Sequence, residues 1–301
     1  MTRPCEIIID EQALLHNVGI VQRTAPHSRL MAMVKANAYG HGLSQVARVL
    51  ADSVDAFGVA CLEEAVVIRQ LGIATPIVLM EGFFHTEELQ QITQLDLQIV
   101  VHSPQQLTAL QQTALSQPLT VWLKVDSGMH RLGFQSADVA SAAQALQALP
   151  QVQQPIGWMT HFAQADEQRD TKTQTQIDLF HSVCEGFLGP KSLANSAGIL
   201  AWPHAHADWV RPGIMLYGVS PFTDQTGASL QLRPVMQLRS HLIAIQQLAQ
   251  GEAVGYGSTW VCPQTMPIGI VAMGYGDGYP RNVPRQTPVW IGDQTVPIVG
   301  R

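Results

Sequence analysis

A (β/α)8 barrel of the TIM type followed by a β-rich C-terminal domain is the fold that this sequence predicts, and three observations carry it. Between residues 29 and 218 short β-branched apolar runs alternate with segments of helical period, the pattern of parallel strands joined by crossover helices. The runs number eight, which suits a sheet closed on itself better than an open one. After Pro221 the helical period stops, and strand-like runs separated by Gly, Pro and Asp turns take over.

The expected barrel strands are residues 30–34, 56–60, 76–80, 97–101, 119–125, 155–160, 191–194 and 208–210. Helices are expected over 43–50, 62–71, 86–95, 104–115, 137–149, 171–187 and 198–201. Ser103 before Pro104 is an N-cap followed by proline at the first helical position. An earlier helix over 11–25 starts behind Asp10, and the strand before it, residues 5–9, is a candidate to join the second domain's sheet. The glutamine doublets 90–91, 105–106 and 111–112 read as solvated helix faces. Beyond the barrel, strands are expected within 232–246, 268–273 and 288–291. The domains are therefore 1–10 (N-terminal strand), 11–221 (barrel) and 222–301 (β-rich). The final residues, from Val296 to Arg301, read as a strand entering a turn, so the second domain is expected to be truncated and turnover by the 301 residues is not expected.

A chain of 301 residues can bury a large core. Its net charge of −6, with 13% charged residues, supplies no basic field for nucleic acid or an anionic membrane. The four cysteines, Cys5, Cys61, Cys184 and Cys262, form no CxxC pair and read as buried apolar residues in a reducing compartment. With neither a signal-peptide pattern nor an apolar stretch of membrane-spanning length, the protein is expected in the cytoplasm.

A barrel carries its chemistry at the carboxyl ends of its strands. That edge holds Lys35, Glu81, His102, Lys124, Asp126, His161, Asn195, Ser196 and Arg211. Each alone reads equally as a salt bridge or a capped turn. Lys35 is harder to set aside, because an ammonium at the end of the apolar run Met31-Ala32-Met33-Val34 loses hydration unless it is paired or neutralised. A lysine so placed suits Schiff-base chemistry with an aldehyde cofactor. The loops after strands seven and eight, Asn195-Ser196-Ala197-Gly198 and Arg211-Pro212-Gly213-Ile214, carry small residues whose N–H groups can approach a phosphate. Pyridoxal phosphate spanning the barrel mouth satisfies both features, with Arg211 facing the pyridine nitrogen. Residues 274–279, Gly-Tyr-Gly-Asp-Gly-Tyr, read as a turn rather than a dinucleotide loop, and His204 and His206 read as loop residues, so no metal site is expected.

The run Val34-Lys35-Ala36-Asn37-Ala38-Tyr39-Gly40-His41-Gly42 closely resembles the cofactor-lysine motif of the alanine racemases, pyridoxal-phosphate enzymes of the barrel type (fold III). Residues 122–133 resemble their substrate-arginine segment, 160–163 their cofactor-histidine segment and 209–218 their eighth-strand motif; 254–257 and 271–281 continue the match in family order. The resemblance implies that Lys35 forms the internal aldimine, that Tyr39, Ser196, Gly213 and Ile214 hold the phosphate with Asn195 beside them, and that Arg211 faces the ring nitrogen with His161 in support. It implies that Arg131 binds near substrate and cofactor oxygens, and that Lys124, carbamylated in some relatives, orients it. Racemisation moves one proton off one face of Cα and another onto the opposite face; the matching bases are Lys35 and Tyr256, the latter supplied by the partner of a homodimer. A phenol is a poor base at neutral pH unless positive charge favours its anion. The implied product is D-alanine for peptidoglycan. The family's Met-Asp pair and later tyrosine follow a Val-Gly-Arg block that here is residues 299–301. Two other readings are a non-catalytic pyridoxal-phosphate-binding barrel, which lacks a β-rich domain, and an amino-acid racemase of broader specificity.

Overall fold

The computed structural model describes residues 3–300; Met1, Thr2 and Arg301, which fall in the expected terminal segments, lie outside the described residues. Two compact units divide the chain. One takes Ile9–Val235, and the other takes the residues up to Ile8 together with those from Met236 onward.

In the first unit the strands β2 (Arg29–Met33), β3 (Ala56–Val59), β4 (Ile77–Leu79), β5 (Leu97–Val101), β6 (Val121–Lys124), β7 (Gly157–Met159), β8 (Lys191–Ser192) and β9 (Trp209–Val210) close a parallel barrel in sequence order. Closure runs through Arg29 opposite Trp209 and Leu30 opposite Val210. All eight expected strands are present, each shortened or shifted by a residue or more except β5, because an apolar run extends past the residues that keep ladder hydrogen bonds. The barrel is filled by inward side chains: Met31, Met33, Ala56, Val78, Met80, Val100, Trp122, Met159 and Trp209 form one buried cluster. Trp122 and Trp209 meet edge to face with ring centroids 6.0 Å apart. Gly157 makes the fit possible, since a Cβ there would run into the Trp122 ring.

The expected helices form the outer layer as Leu43–Leu50, Leu62–Gln70, Glu88–Gln94, Pro104–Gln112, Ser136–Gln147, Lys172–Val183 and Ser196–Ala201, preceded by Glu11–Thr24. Asp10 caps that first helix by accepting from Ala13 N at 2.9 Å, and Ser103 caps Pro104–Gln112 by accepting from Gln106 N. Residues 222–235, assigned to the β-rich domain from pattern, pack with the barrel unit. Phe222, Leu232 and Val235 are buried in its core, and Asn17 Nδ2 donates to Arg233 O at 2.8 Å.

The second unit is a set of two-stranded pairs, three of them antiparallel, with no α-helix among the described residues. β1 (Cys5–Ile9) pairs with β10 (Met236–Ser240). β11 (Leu242–Leu248) pairs with β14 (Met266–Val271), β12 (Ala253–Val254) with β13 (Trp260–Val261), and β15 (Pro288–Ile291) with β16 (Gln294–Pro297). The expected single run over 232–246 is broken at His241, where two strands meet. Residues 274–279 form a turn in which Gly274 N donates to Asp277 Oδ2 at 2.9 Å. Among the described residues no helix is long and apolar enough to cross a membrane, and no group of three or more His, Cys, Asp or Glu side chains is arranged to hold a metal. Cys184 and Cys262 are buried, but Cys5 and Cys61 are only half-buried, contrary to expectation, because each lies at the edge of its strand or helix rather than on a core-facing position.

Candidate active site

A cavity of about 540 Å³ opens at the carboxyl ends of the barrel strands. Lys35, Lys124, His161 and Arg211 enter it from the ends of β2, β6, β7 and β9. Asn195 and Ser196 reach it from the loop after β8, Gly213 and Ile214 from the loop after β9, and Tyr39 and Arg131 from the segments after β2 and β6. Every barrel residue singled out by motif therefore lines one space. Tyr256 belongs to the other unit, where it opens a 3-10 turn and is 69% exposed. Met33, Met80, Leu132, Asp166 and Pro221 also line the cavity without having been singled out. The two methionines are indistinguishable by sequence from barrel filling, and nothing sets Asp166 apart from the exposed polar residues around it.

Lys35 is half-buried and leads into a backbone feature that sequence did not suggest. Ala36, Asn37, Ala38 and Tyr39 all have positive φ, from 52° to 54°, forming one left-handed turn. Such a turn costs non-glycine residues about 1–2 kcal/mol each. Hydrogen bonds hold it: Ala38 N donates to Val34 O at 2.8 Å, Gly40 N to Ala36 O at 3.1 Å, and Leu43 N to Asn37 Oδ1 at 2.8 Å. The turn delivers Tyr39 to the cavity, where its ring stacks on Tyr217 at 5.0 Å between centroids. Tyr217 is anchored by donating to Met33 O at 3.0 Å.

Arg211 is buried, with no carboxylate partner among the described residues. Its guanidinium donates to Ser192 Oγ (2.6 Å), Thr160 O (2.6 Å) and Leu193 O (3.0 Å), and its Nη2 lies 3.4 Å from His161 Nδ1. Burial brings Arg211 down to about 10, so it stays charged at neutral pH. Burial first, then the cations Arg211, Lys124, Arg131 and Lys35, hold His161 well below the usual histidine range. The imidazole is therefore neutral, and its Nδ1 can accept from Arg211. Lys124 is brought down to about 8 by burial and by Arg211, Arg131 and Lys35, with Glu81 opposing. Asp126, expected at this edge, instead organises the loop that carries Arg131. Its carboxylate accepts from Gly128 N (3.0 Å), His130 N (2.9 Å), His130 Nδ1 (3.0 Å) and Gln135 Nε2 (2.8 Å).

The phosphate end is built by two loops. Ser196 Oγ accepts from Gly213 N at 2.9 Å, and Asn195 Oδ1 caps Ser196–Ala201 by accepting from Gly198 N at 2.9 Å. Ile214 is the first residue of a 3-10 turn, so its N–H has no carbonyl within the turn to meet. A Cβ at Gly213 would come 2.5 Å from the Tyr39 hydroxyl, so only glycine leaves this cradle open. Hydroxyl and N–H donors with no carboxylate among them suit a phosphate, the isolated arginine suits a ring nitrogen, and the lysine at the mouth suits an aldehyde. The donor set fits pyridoxal phosphate.

Two buried glutamines were misread or missed. Gln106, taken for a solvated face, is 7% exposed: it donates to Glu81 O (3.0 Å) and Phe83 O (3.1 Å) and accepts from His102 N (3.0 Å). Gln176 is 1% exposed and carries a similar set of bonds. Both helices press this one glutamine against strand ends, which no periodicity reveals. The other glutamines of the doublets are exposed, as expected.

The family model for the alanine racemase N-terminal domain matches residues 9–221, and that for the alanine racemase C-terminal domain matches 235–301. The latter match lends no support to the expectation of a truncated second domain. The alanine racemase of Vibrio parahaemolyticus is 50% identical over 293 residues, covering 97% of this chain and 82% of that protein. The biosynthetic alanine racemase of Escherichia coli K12 is 49% identical over 296 residues, with 98% and 82% covered. Among solved structures, the biosynthetic alanine racemase from Pseudomonas aeruginosa superposes with a TM-score of 0.95 at 43% identity, over 100% of this chain and 84% of that one. The alanine racemase from Acinetobacter baumannii gives 0.91 at 40% identity, with the same two coverages of 100% and 84%.

Proposed function

The chain belongs to the alanine racemase family, and from that premise we propose that it interconverts L- and D-alanine with pyridoxal 5'-phosphate, as a cytoplasmic homodimer supplying D-alanine for peptidoglycan. The observation that supports this most is the single cavity in which Lys35, the Ser196–Gly213 cradle and the buried Arg211 face one space. When bound there, pyridoxal phosphate supplies an aldehyde carbon for an amine and a ring that accepts electron density from Cα.

Lys35 Nζ tethers the cofactor and handles the Cα proton on one face. Tyr256 Oη, supplied by a second copy of the chain, handles the opposite face. Tyr39, Ser196, Gly213 and Ile214 hold the phosphate, with Asn195 stiffening the cradle through its cap on Gly198 N. Arg211 would face the ring nitrogen and, staying charged, would give that nitrogen no full proton, which would keep the ring a moderate acceptor and limit transamination. Neutral His161 accepts from Arg211 without adding a charge. Arg131 binds substrate and cofactor oxygens. Lys124, with its free amine accessible near pH 8, adds carbon dioxide: an N–C bond forms, one proton leaves, and the resulting anion pairs with Arg131.

The β-rich domain and Tyr256 favour turnover over a single-domain cofactor carrier. With added pyridoxal phosphate in deuterated water, L-alanine is expected to take deuterium at Cα and to accumulate as the D-enantiomer. Cofactor binding without exchange would leave the carrier reading standing and remove this one.

A further inference from the structure

We infer that Gln176 is a positioning residue that locks the His161 segment to the Ser127 loop and so fixes the imidazole against Arg211. The clamp is local and complete. From the helix Lys172–Val183, Gln176 Nε2 donates to His161 O at 3.1 Å and to Ser127 Oγ at 3.3 Å, while its Oε1 accepts from Ala163 N at 3.0 Å. It thus spans the ends of β6 and β7 and fastens the backbone from the His161 carbonyl to the Ala163 amide.

The remaining contacts show why this matters to the ring. His161 has one side-chain partner among the described residues, Arg211 Nη2, at a long 3.4 Å. That separation is too slack to place the imidazole by itself. Its backbone must therefore do so, and the carbonyl of His161 and the amide two residues on are both held by one buried amide. Ser127 Oγ is in turn bonded to Thr160 Oγ1 at 2.7 Å, and Thr160 O takes a hydrogen bond from Arg211 Nη2 at 2.6 Å. Gln176 therefore reaches both partners of the pair, His161 through its backbone and Arg211 through Ser127 and Thr160. An apolar side chain of similar length would leave a buried donor and acceptor unmet, and the segment would move to find water.

The inference rests on the proposed site but not on its being loaded, so it can be read in the cofactor-free chain. The groups facing His161 are Arg211 just after β9, Lys124 on β6, Arg131 on the loop that follows β6 and Lys35 just after β2. With the clamp intact, nitrogen-resolved NMR of the His161 ring should show a neutral imidazole well below the usual titration range. In Gln176→Met, water reaches the loosened segment and the titration should rise by about one pH unit. An unchanged His161 titration in a folded Gln176→Met chain overturns the inference. If that variant does not fold, the unsubstituted chain decides: slow hydrogen exchange of the Gln176 side-chain amide supports the clamp, and exchange at the solvent rate overturns it. Failure of the chain to bind pyridoxal phosphate would sink the proposed function while leaving both readouts valid.

Discussion

At Lys124 the barrel holds an ammonium that burial and three neighbouring cations disfavour, taking it from the ordinary 10.5 to about 8. That shift corresponds to about 3 kcal/mol of folding free energy. Because the folded value is lowered, the charged form costs stability below pH 8, and the cost disappears as pH rises to the unfolded value. In carbon dioxide-free buffer, Lys124→Met should raise stability at pH 7 by about 2–3 kcal/mol, an advantage that vanishes above about pH 10.5, as denaturant titrations at several pH values would show. An advantage unchanged with pH would remove the titration from the account. With labelled bicarbonate, a carbon resonance of a carbamate should appear and be absent in the same variant; no resonance would mean that the amine stays unmodified. Residues such as Lys35, Lys124 and Arg211 were legible because a cation ending an apolar strand is conspicuous. Gln106 and Gln176 were not, because a glutamine on a helix reveals its burial only once the strand ends beneath it are known.

The left-handed turn is the element that stores strain for the site. Ala36 is exposed and sits at φ 52°, so glycine there loses no packing and relieves the conformation. Ala36→Gly should stabilise the fold by about 1 kcal/mol in a denaturant titration, and a destabilisation would show that the turn is not strained. Gly213→Ala should act oppositely on the cradle, displacing Tyr39 and weakening pyridoxal-phosphate affinity at least about tenfold by equilibrium titration; unchanged affinity would take Tyr39 out of the phosphate site. The strands and helices of the barrel were readable because β-branched runs and helical period are local properties. The turn after Lys35 was not, since alanines disfavour positive φ and adopt it here only under contacts made elsewhere in the chain. The break at His241 escaped for a related reason, as both flanking runs are equally strand-like.

At the scale of the whole molecule, the barrel unit brings every proposed site residue but one to a single cavity, and the exception, Tyr256, is proposed to act from a second copy of the chain. Tyr256→Phe should slow proton removal from one alanine enantiomer far more than from the other in solvent-deuterium exchange; equal small losses would remove Tyr256 from the proposal. Ile243 and Ile245, two apart on β11 and therefore on one face, are 63% and 69% exposed, and Trp290 is 75% exposed, apolar surface consistent with self-association. Light scattering should accordingly find dimers. The segment 222–235 packs with the barrel through three buried apolar side chains that pattern alone places on either side. The tether at Lys35 remains the claim on which the others depend. Incubating the folded chain with pyridoxal phosphate, reducing it with borohydride and mapping the peptides tests it directly: a pyridoxyl adduct on Lys35 alone is expected, and a colourless protein, or an adduct spread over other lysines, would contradict the account.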